Sequence, residues 1–159
     1  MFKKIGQKLK DQRGLTLIEL LAVVVILGII AAIAIPSIGG LINNSKKDAH
    51  IANAQQMVSA ARMAVTSNEI SGSEISLADL ISKGYMEQVE DPSTDTNYDE
   101  ATSKVFISKN GTSGNLTYTV TLSHNDTATT GYFVTKDPDG LTREDVNLNG
   151  AATAAATNP

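Results

Sequence analysis

The sequence predicts an α+β fold in which a long N-terminal helix packs on a small antiparallel β-meander. Three patterns support this prediction. Residues 15–35 are almost all aliphatic, alanine or glycine, which is the composition of a membrane-crossing helix. Apolar residues then recur at three- and four-residue spacing to about Thr66, as in an amphipathic helix. From Lys104 onward the apolar period changes to two, which indicates β-strands.

A basic leader, residues 1–14, precedes the apolar run. Its charged residues are Lys3, Lys4, Lys8, Lys10, Arg13 and the single acid Asp11. By the positive-inside rule this end stays cytoplasmic and the chain after the helix lies outside. Removing five basic residues and one acid from the chain's 13 and 17 leaves 8 and 16, a net charge of −8 for residues 15–159. We therefore expect no direct binding to nucleic acid.

The chain contains no cysteine. An exported protein of this kind cannot use disulfides to fix its loops. We therefore expect packing, hydrogen bonds or a metal ion to hold the extracytoplasmic loops.

The apolar run is long enough to span a membrane, yet it contains an acid, Glu19. A helix needs roughly 20 apolar residues to cross the bilayer core, and residues 15–35 supply 21, of which only Thr16 and Glu19 are polar. One interpretation is a secretory signal cut after Ala34, within the small-x-small pattern Ala32-Ile33-Ala34, although the run is longer than the usual ~7–15 residues. Another is a single-pass anchor, with Thr16 and Glu19 as a capping box at the helix start.

A third interpretation rests on the stretch Gly14-Leu15-Thr16-Leu17-Ile18-Glu19, between the basic leader and the apolar run. This stretch resembles the processing site of type IV prepilins and pseudopilins. The resemblance implies that a membrane-embedded prepilin peptidase cuts between Gly14 and Leu15 and methylates the new amino group of Leu15. Gly28 and Pro36 match the family's helix-interior glycine and proline. Leu15 departs from the pattern, since phenylalanine is commoner there.

The resemblance also gives Glu19 a function in assembly. A carboxylate in an apolar span is costly and usually has a partner. Cleavage creates an α-amine with a reference pKa near ~8, and one methyl group leaves its charge in place. In the family, the acid is taken to pair with the N-terminal amine of a neighbouring subunit as helices bundle. We expect Glu19, with Thr16 beside it, to set the register of the helices, because a misplaced partner leaves a charge bare.

The helix is predicted to continue past the membrane to about Thr66. The apolar stripe comprises Ile38, Leu41, Ile42, Ile51, Ala54, Val58, Ala61 and Val65. Its second half is expected to pack mainly on the sheet, and the alternative is a site for partner subunits; both can hold in this family. Pro36, which has no N–H, is expected to disturb the helix, and Gly28 weakens the same region. By resemblance to bacterial pilins, local melting between these two residues would give a filament flexibility; the alternative is a bent membrane helix without that mechanism.

The rest of the chain is predicted to form a small head. The polar stretch TSNEISGSEIS is predicted to be a loop, and a short helix follows from a capping signal at Ser76 and Asp79 to a stop at Gly84. The apolar face of this helix comprises Leu77, Leu80 and Ile81. KVFISK, LTYTVTL and GYFVTK are predicted as a three-stranded meander that the amphipathic helix covers. The terminal AATAAATNP is predicted to be frayed.

One segment, residues 136–150, has the oxygen ligands of a calcium loop. The candidate ligands are Asp137, Asp139, Asp145, Asn147 and Asn149, with Gly140 and Gly150 allowing sharp turns. The spacing is not that of an EF-hand, and Asp-Pro-Asp-Gly is also an ordinary turn. Some pseudopilins hold calcium in a C-terminal loop. Calcium binding is thus one expectation for this segment and a plain solvated loop is the other; no cofactor is required.

The sequence gives no indication of an enzyme. His50 and His124 are isolated in polar surroundings and are expected on the surface, and there is neither a phosphate-binding glycine loop nor a G-x-S-x-G motif. The predicted organisation is a leader at 1–14, a membrane and filament-core helix at 15–36, its amphipathic continuation at 37–67 and a head at 68–159.

The resemblance implies a subunit of a type IV pilus-like filament, and Glu19 favours a major pilin. The precursor would lie in the cytoplasmic membrane with its N-terminus inside. It would then join an extracellular homo-oligomeric filament through prepilin peptidase, the assembly machinery and minor pilins. The sequence of the first 60 or so residues is also similar to that of pilins of Gram-positive bacteria. The alternatives are a pseudopilin of a type II secretion or competence system and, from another class, a membrane-anchored or secreted binding module. Adhesion, motility, DNA uptake and secretion are not distinguished.

Overall fold

The predicted long N-terminal helix is confirmed. The computed structural model describes residues 2–70, 72–94, 96–111, 114–124 and 130–153; the side chains of residues 2–15, 130 and 153 are outside the description. Helix α1 spans Phe2–Thr66, 65 residues, so the leader backbone is helical as well. Thr16 and Glu19 therefore lie in the helix interior. The predicted capping box at these residues is wrong for the uncut chain, because only the first turn of a helix has unpaired N–H groups.

Helix α1 contributes to two compact units, Met1–Ile42 and Asn43–Pro159. Pro36 lies inside the helix. The helix is not interrupted there, so the expected disturbance does not take the form of a break. Local melting in an assembled filament stays a prediction.

The second unit contains a four-stranded antiparallel sheet, α2 and a separate strand pair. In chain order its elements are β1 (Glu74–Ser76), α2 (Leu77–Ser82), β2 (Lys104–Lys109), β3 (Leu116–Leu122), β4 (Thr130–Gly131), β5 (Phe133–Lys136) and β6 (Ala152–Thr153). The sheet has the order β1-β2-β3-β5, and β4 pairs with β6. The three predicted strand segments are confirmed as β2, β3 and the β4–β5 region.

Two short strands lie where the sequence predicted none. Strand β1 is in the stretch predicted to be a loop; it pairs with β2, with Ile75 opposite Val105. Its three residues are too few to show a period, and they form a strand because β2 offers an edge and Ile75 is buried. Strand β6 lies in the tail predicted to be frayed, with Ala152 opposite Gly131. Residues 154–159 lie outside the described residues.

The predicted short helix is confirmed together with its capping signal. Ser76 is the N-cap of α2, and its hydroxyl accepts a hydrogen bond from the Asp79 N–H at 3.1 Å. The Asp79 carboxylate accepts one from the Ser76 N–H in return. Gly84, the predicted stop, has φ +77°, a conformation that glycine adopts without strain.

The core of the second unit lies between the last third of α1 and the sheet. The helix contributes one face of small and medium apolar side chains: Ala54, Met57, Val58, Ala60, Ala61 and Ala64. They share a cluster with sheet residues Val105, Val120, Leu122 and Phe133. The second half of the predicted stripe is thus confirmed as a sheet-packing face, although Ile51 and Val65 at its ends are only partly buried. Ile38, Leu41 and Ile42, in its first half, are exposed. Alanine recurs because it lets a helix approach a sheet closely.

Candidate processing and assembly site

The predicted cleavage junction lies within continuous helix. Gly14 and Leu15 belong to α1, but their side chains are outside the described part of the chain. Thr16 is the first residue whose side chain is described, and it is exposed. The structure therefore gives the backbone at the junction and nothing of its contacts.

Glu19 projects from a helix surface that is otherwise apolar. Its neighbours Leu17, Ile18 and Leu20 are 68%, 68% and 62% exposed. Glu19 is exposed too, and it forms no hydrogen bond or ion pair with any described residue. A carboxylate left in this apolar setting must find a partner outside this segment of the chain or be neutralised when the helix is buried.

The apolar surface around Glu19 is extensive. All the large apolar side chains from residue 17 to residue 42 are at least half exposed. The most apolar stretch has a mean hydropathy of 3.0, none of it is buried, and by length and composition this helix can cross a membrane. A soluble monomer rarely exposes so large an apolar surface. This surface therefore requires a membrane or neighbouring helices.

Gly28 and Pro36 have no structural explanation within the described chain. A Cβ added at Gly28 would meet no described atom within 4 Å, so packing inside the subunit does not demand glycine there. Pro36 removes a helix hydrogen bond at a cost of about 3 kcal/mol or more in an ordinary helix interior. Both residues lower the stability of this segment without improving its packing in the free subunit.

The comparison with protein families matches the segment that contains the predicted junction. The family described as "Prokaryotic N-terminal methylation motif" matches residues 9–35. The matched segment contains Gly14, Leu15, Glu19 and Gly28. It supports the type IV pilin and pseudopilin family for this chain, and the motif implies a structural protein rather than an enzyme. No curated protein and no solved structure matches the chain significantly.

The calcium candidates of the C-terminal loop, residues 136–150, are mostly engaged with other protein groups. Asp145 accepts hydrogen bonds from Thr142 and from Lys136 Nζ at 3.0 Å, and these bonds lower its pKa to about 2. Asp139 lies 3.5 Å from Arg62, and the Asp137 carboxylate accepts the Asp139 N–H. The Asn147 side chain likewise accepts the Asn149 N–H.

In the described ranges, no three His, Cys, Asp or Glu side chains are grouped as a metal ion would need. The bonds just described arrange the carboxylates around lysine, arginine and backbone N–H groups. Calcium binding by this loop stays a prediction.

Direct polar contacts attach the C-terminal loop to α1. They fix the loop in a chain that has no cysteine and so no disulfide. Arg143 donates two hydrogen bonds to Asp48, at 2.7 and 2.6 Å, and this pairing lowers the pKa of Asp48. Lys47 donates to the Arg143 carbonyl at 2.9 Å. Gln55 donates to the Pro138 carbonyl at 3.2 Å. Hydrogen bonds and a bidentate ion pair thus act where a disulfide is absent.

The expectation that His50 lies on the surface is wrong. Its side chain is fully buried, and its ring nitrogens lie 2.6 Å from the Tyr98 hydroxyl and 2.8 Å from the Ser93 hydroxyl. The sequence contained a signal for this burial, since His50 precedes Ala54 by four residues and so continues the buried stripe of α1. Polar neighbours in sequence obscured it.

His124 is partly buried rather than fully exposed, and its ring centroid lies 5.5 Å from that of Tyr132, with the two rings tilted by 44°. Its Nδ1 is buried without a hydrogen-bond partner among the described residues. Its ring packs against Gly150, at the end of the C-terminal loop.

Proposed function

We propose that this chain is the major structural subunit of a type IV pilus-like filament. One observation carries the proposal: an exposed apolar helix surface contains a single carboxylate, that of Glu19, which has no partner within the described chain. Glu19 lies five residues after Gly14, inside the segment that matches the methylation motif. In the proposed sequence of events, prepilin peptidase cuts between Gly14 and Leu15, and Leu15 is N-methylated.

The cut changes the environment of Glu19. In the precursor the residue lies well inside α1. After cleavage it lies within the first turns of the helix, near the positive end of the helix dipole and a free ammonium group. A neighbouring subunit that lies alongside would place its own ammonium against this carboxylate. Such a pair adds little net stability but strongly disfavours any packing that leaves one charge unpaired.

The exposed apolar side chains fit this role because they serve in two environments. In the precursor they face lipid, and in the filament they face the apolar helices of other subunits. The weakened segment between Gly28 and Pro36 supports the proposal, since a filament helix gains flexibility from residues that a soluble helix would exclude.

Two alternatives differ in how the subunit assembles. A pseudopilin of a type II secretion or competence system would share the cleavage and the use of Glu19 and would form a short filament. A membrane-anchored or secreted binding module would display the head without helical assembly, since only head-to-tail contacts that do not close build a filament. The choice among adhesion, motility, secretion and DNA uptake belongs to functional assays.

Replacement of Glu19 by glutamine in the native host tests the assembly role. Glutamine keeps the shape and removes the charge, so we expect the variant to be cleaved normally while the pilin recovered in sheared filaments falls by at least about tenfold, as expected for a broken buried pair. Glu69→Gln, the same change at an exposed glutamate of the head, is the matched control and should assemble like the wild type. Normal filament yield from Glu19→Gln would refute the assembly role.

A further inference from the structure

A buried polar network joins α1 to the loop at residues 91–98, of which residue 95 is outside the described residues. His50 is at its centre. Its Nδ1 lies 2.6 Å from the Tyr98 hydroxyl, and its Nε2 lies 2.8 Å from the Ser93 hydroxyl. Its ring stacks on Tyr132 with a centroid distance of 3.8 Å. His50, Tyr98 and Tyr132 are each at most 2% exposed. This one imidazole therefore makes two of the side-chain bonds that tie the 91–98 loop to the helix, and Asn53 makes a third, to the Tyr98 hydroxyl.

The hydrogen bonds assign the proton positions of the neutral ring. Asn53 donates an N–H to the Tyr98 oxygen at 3.2 Å, and the buried Tyr98 hydroxyl proton needs an acceptor of its own. His50 Nδ1 is the acceptor within reach, and it must then be unprotonated. Nε2 carries the proton and donates it to Ser93. Every member of this network is satisfied while His50 is neutral.

Protonation of His50 breaks that arrangement. A proton on Nδ1 would point at the Tyr98 oxygen, which could accept it only if the Tyr98 hydroxyl proton turned away from His50. The Tyr98 hydroxyl proton would lose its acceptor, and none of the described hydrogen bonds offers a second one. An unsatisfied hydroxyl and an imidazolium would then both be buried, which is costly.

The charges around the ring act in both directions. The Asp91 carboxylate lies 3.8 Å from Nε2 and favours the imidazolium, whereas Lys46 on α1 disfavours it. Burial outweighs the carboxylate and lowers the pKa of His50 to about 4. The Asp91 carboxylate is itself occupied, since it accepts the Ser93 N–H and the Tyr132 hydroxyl. Burial raises the pKa values of Tyr98 and Tyr132, so neither hydroxyl titrates in acid.

We propose that His50 is a proton-sensitive latch, which holds the 91–98 loop on α1 when the ring is neutral and releases it when the ring is protonated. Release exposes the imidazolium to water and frees Tyr98. The proposal does not depend on filament assembly, because all its parts lie within the second unit, Asn43–Pro159. It predicts a head whose surface at the 91–98 loop differs between neutral and acidic surroundings.

The size of the effect follows from proton linkage. A proton binds a released histidine with a pKa near 6.5 and the latched one with a pKa of about 4. Between these two values the ratio of released to latched loop rises about tenfold for each pH unit that the solution is acidified. Above pH 6.5 both forms are neutral and the ratio is constant.

Amide hydrogen exchange of the full-length chain in detergent micelles tests the latch. The probes are the Asp91 and Tyr98 amides, which are bonded to the Thr96 and Val89 carbonyls within the same segment. They report release because a short two-stranded segment that is no longer held against the helix does not keep such bonds in water. After correction for intrinsic exchange rates, we expect their protection to fall about tenfold per pH unit between pH 6.5 and 4. His50→Gln should have pH-independent protection at these amides. His124→Gln, the same change at the other histidine, should respond like the wild type.

Each contrary result overturns the proposal. Constant protection in the wild type would show no latch. If the protection of His50→Gln still changed with pH, the response would belong to another group, such as Asp91. If the protection of His124→Gln no longer changed with pH, the response would belong to His124. If His50→Gln does not fold, the test uses the wild type alone. Carbon-13 NMR of its two histidines gives the pH at which His50 is half protonated, and amide protection must be half lost at the same pH. Protonation of His50 with the loop still protected would contradict the latch.

Discussion

Gly150 shows at the residue scale how the end of the C-terminal loop is fixed. Its φ is +64°, in the left-handed region that L-residues rarely adopt. A side chain there would also overlap the ring of His124. The composition of this segment predicted a sharp turn at Gly150. The contact with His124 was not predictable from sequence, because the two residues are distant along the chain and only the fold brings them together.

Replacement of Gly150 by alanine should therefore destabilise the head twice over. The left-handed conformation costs an L-residue about 1–2 kcal/mol, and the overlap with a packed ring adds a cost of similar size. Gly84→Ala is the matched control, because Gly84 has φ +77° and open space around it. We expect Gly150→Ala to lower the free energy of unfolding, measured with denaturant in micelles, by more than Gly84→Ala does. Equal losses would mean that the contact with His124 is unimportant.

The largest failure of sequence-based prediction at this scale is His50. The helical period placed it on the buried face, but its polar type and neighbours suggested exposure. Its partners Tyr98, Ser93 and Asp91 come from a loop more than 40 residues away. A buried histidine needs such partners, and no local sequence pattern predicts partners that lie far away along the chain. Glu19, by contrast, was identifiable because one acid in an apolar run contrasts with its own surroundings.

At the element scale, the C-terminal loop is attached to α1 by polar contacts across the surface of the head. The bidentate pair of Arg143 and Asp48 is the best aligned of these contacts. Both side chains are about half exposed, so salt screens their attraction. The pair therefore positions the loop more than it stabilises the whole head.

Removal of either charge should loosen the loop locally. We expect Arg143→Gln and Asp48→Asn each to speed amide exchange in the C-terminal loop by a few-fold, because an exposed pair contributes modestly. The double variant is the control: it should exchange no faster than either single variant, since both remove the same interaction. High salt should reduce the difference from the wild type. Additive effects of the two changes would show that the residues act independently.

Local signals explain which elements were predictable. The capping spacing of Ser76 and Asp79 and the stop at Gly84 lie within nine residues, and α2 agrees with the prediction. Strands β2 and β3 are long enough to show their period. Strands β1 and β6 contain three and two residues, and each exists through a partner strand distant in sequence. Nothing in their own residues distinguishes them from loop.

At the scale of the whole molecule, the chain combines an exposed apolar segment of α1 with a second unit in which the rest of α1 and the sheet share a core. The apolar side chains before residue 43 are exposed, whereas those of α1 from Ala54 to Ala64 are buried against the sheet. The sequence predicted this division from hydropathy and period. It did not predict that α1 begins as early as Phe2, because the leader has no apolar stripe and its helix continues one already formed.

Intact mass and N-terminal sequencing of the protein sheared from the surface of its native host decide whether this chain is a processed filament subunit. We expect a chain that begins at Leu15 and carries one methyl group on its α-amine. A chain that begins at Ile35 would mean an ordinary secreted protein, and one that retains Met1 would mean an uncut membrane anchor. Either of these two results would contradict the filament proposal.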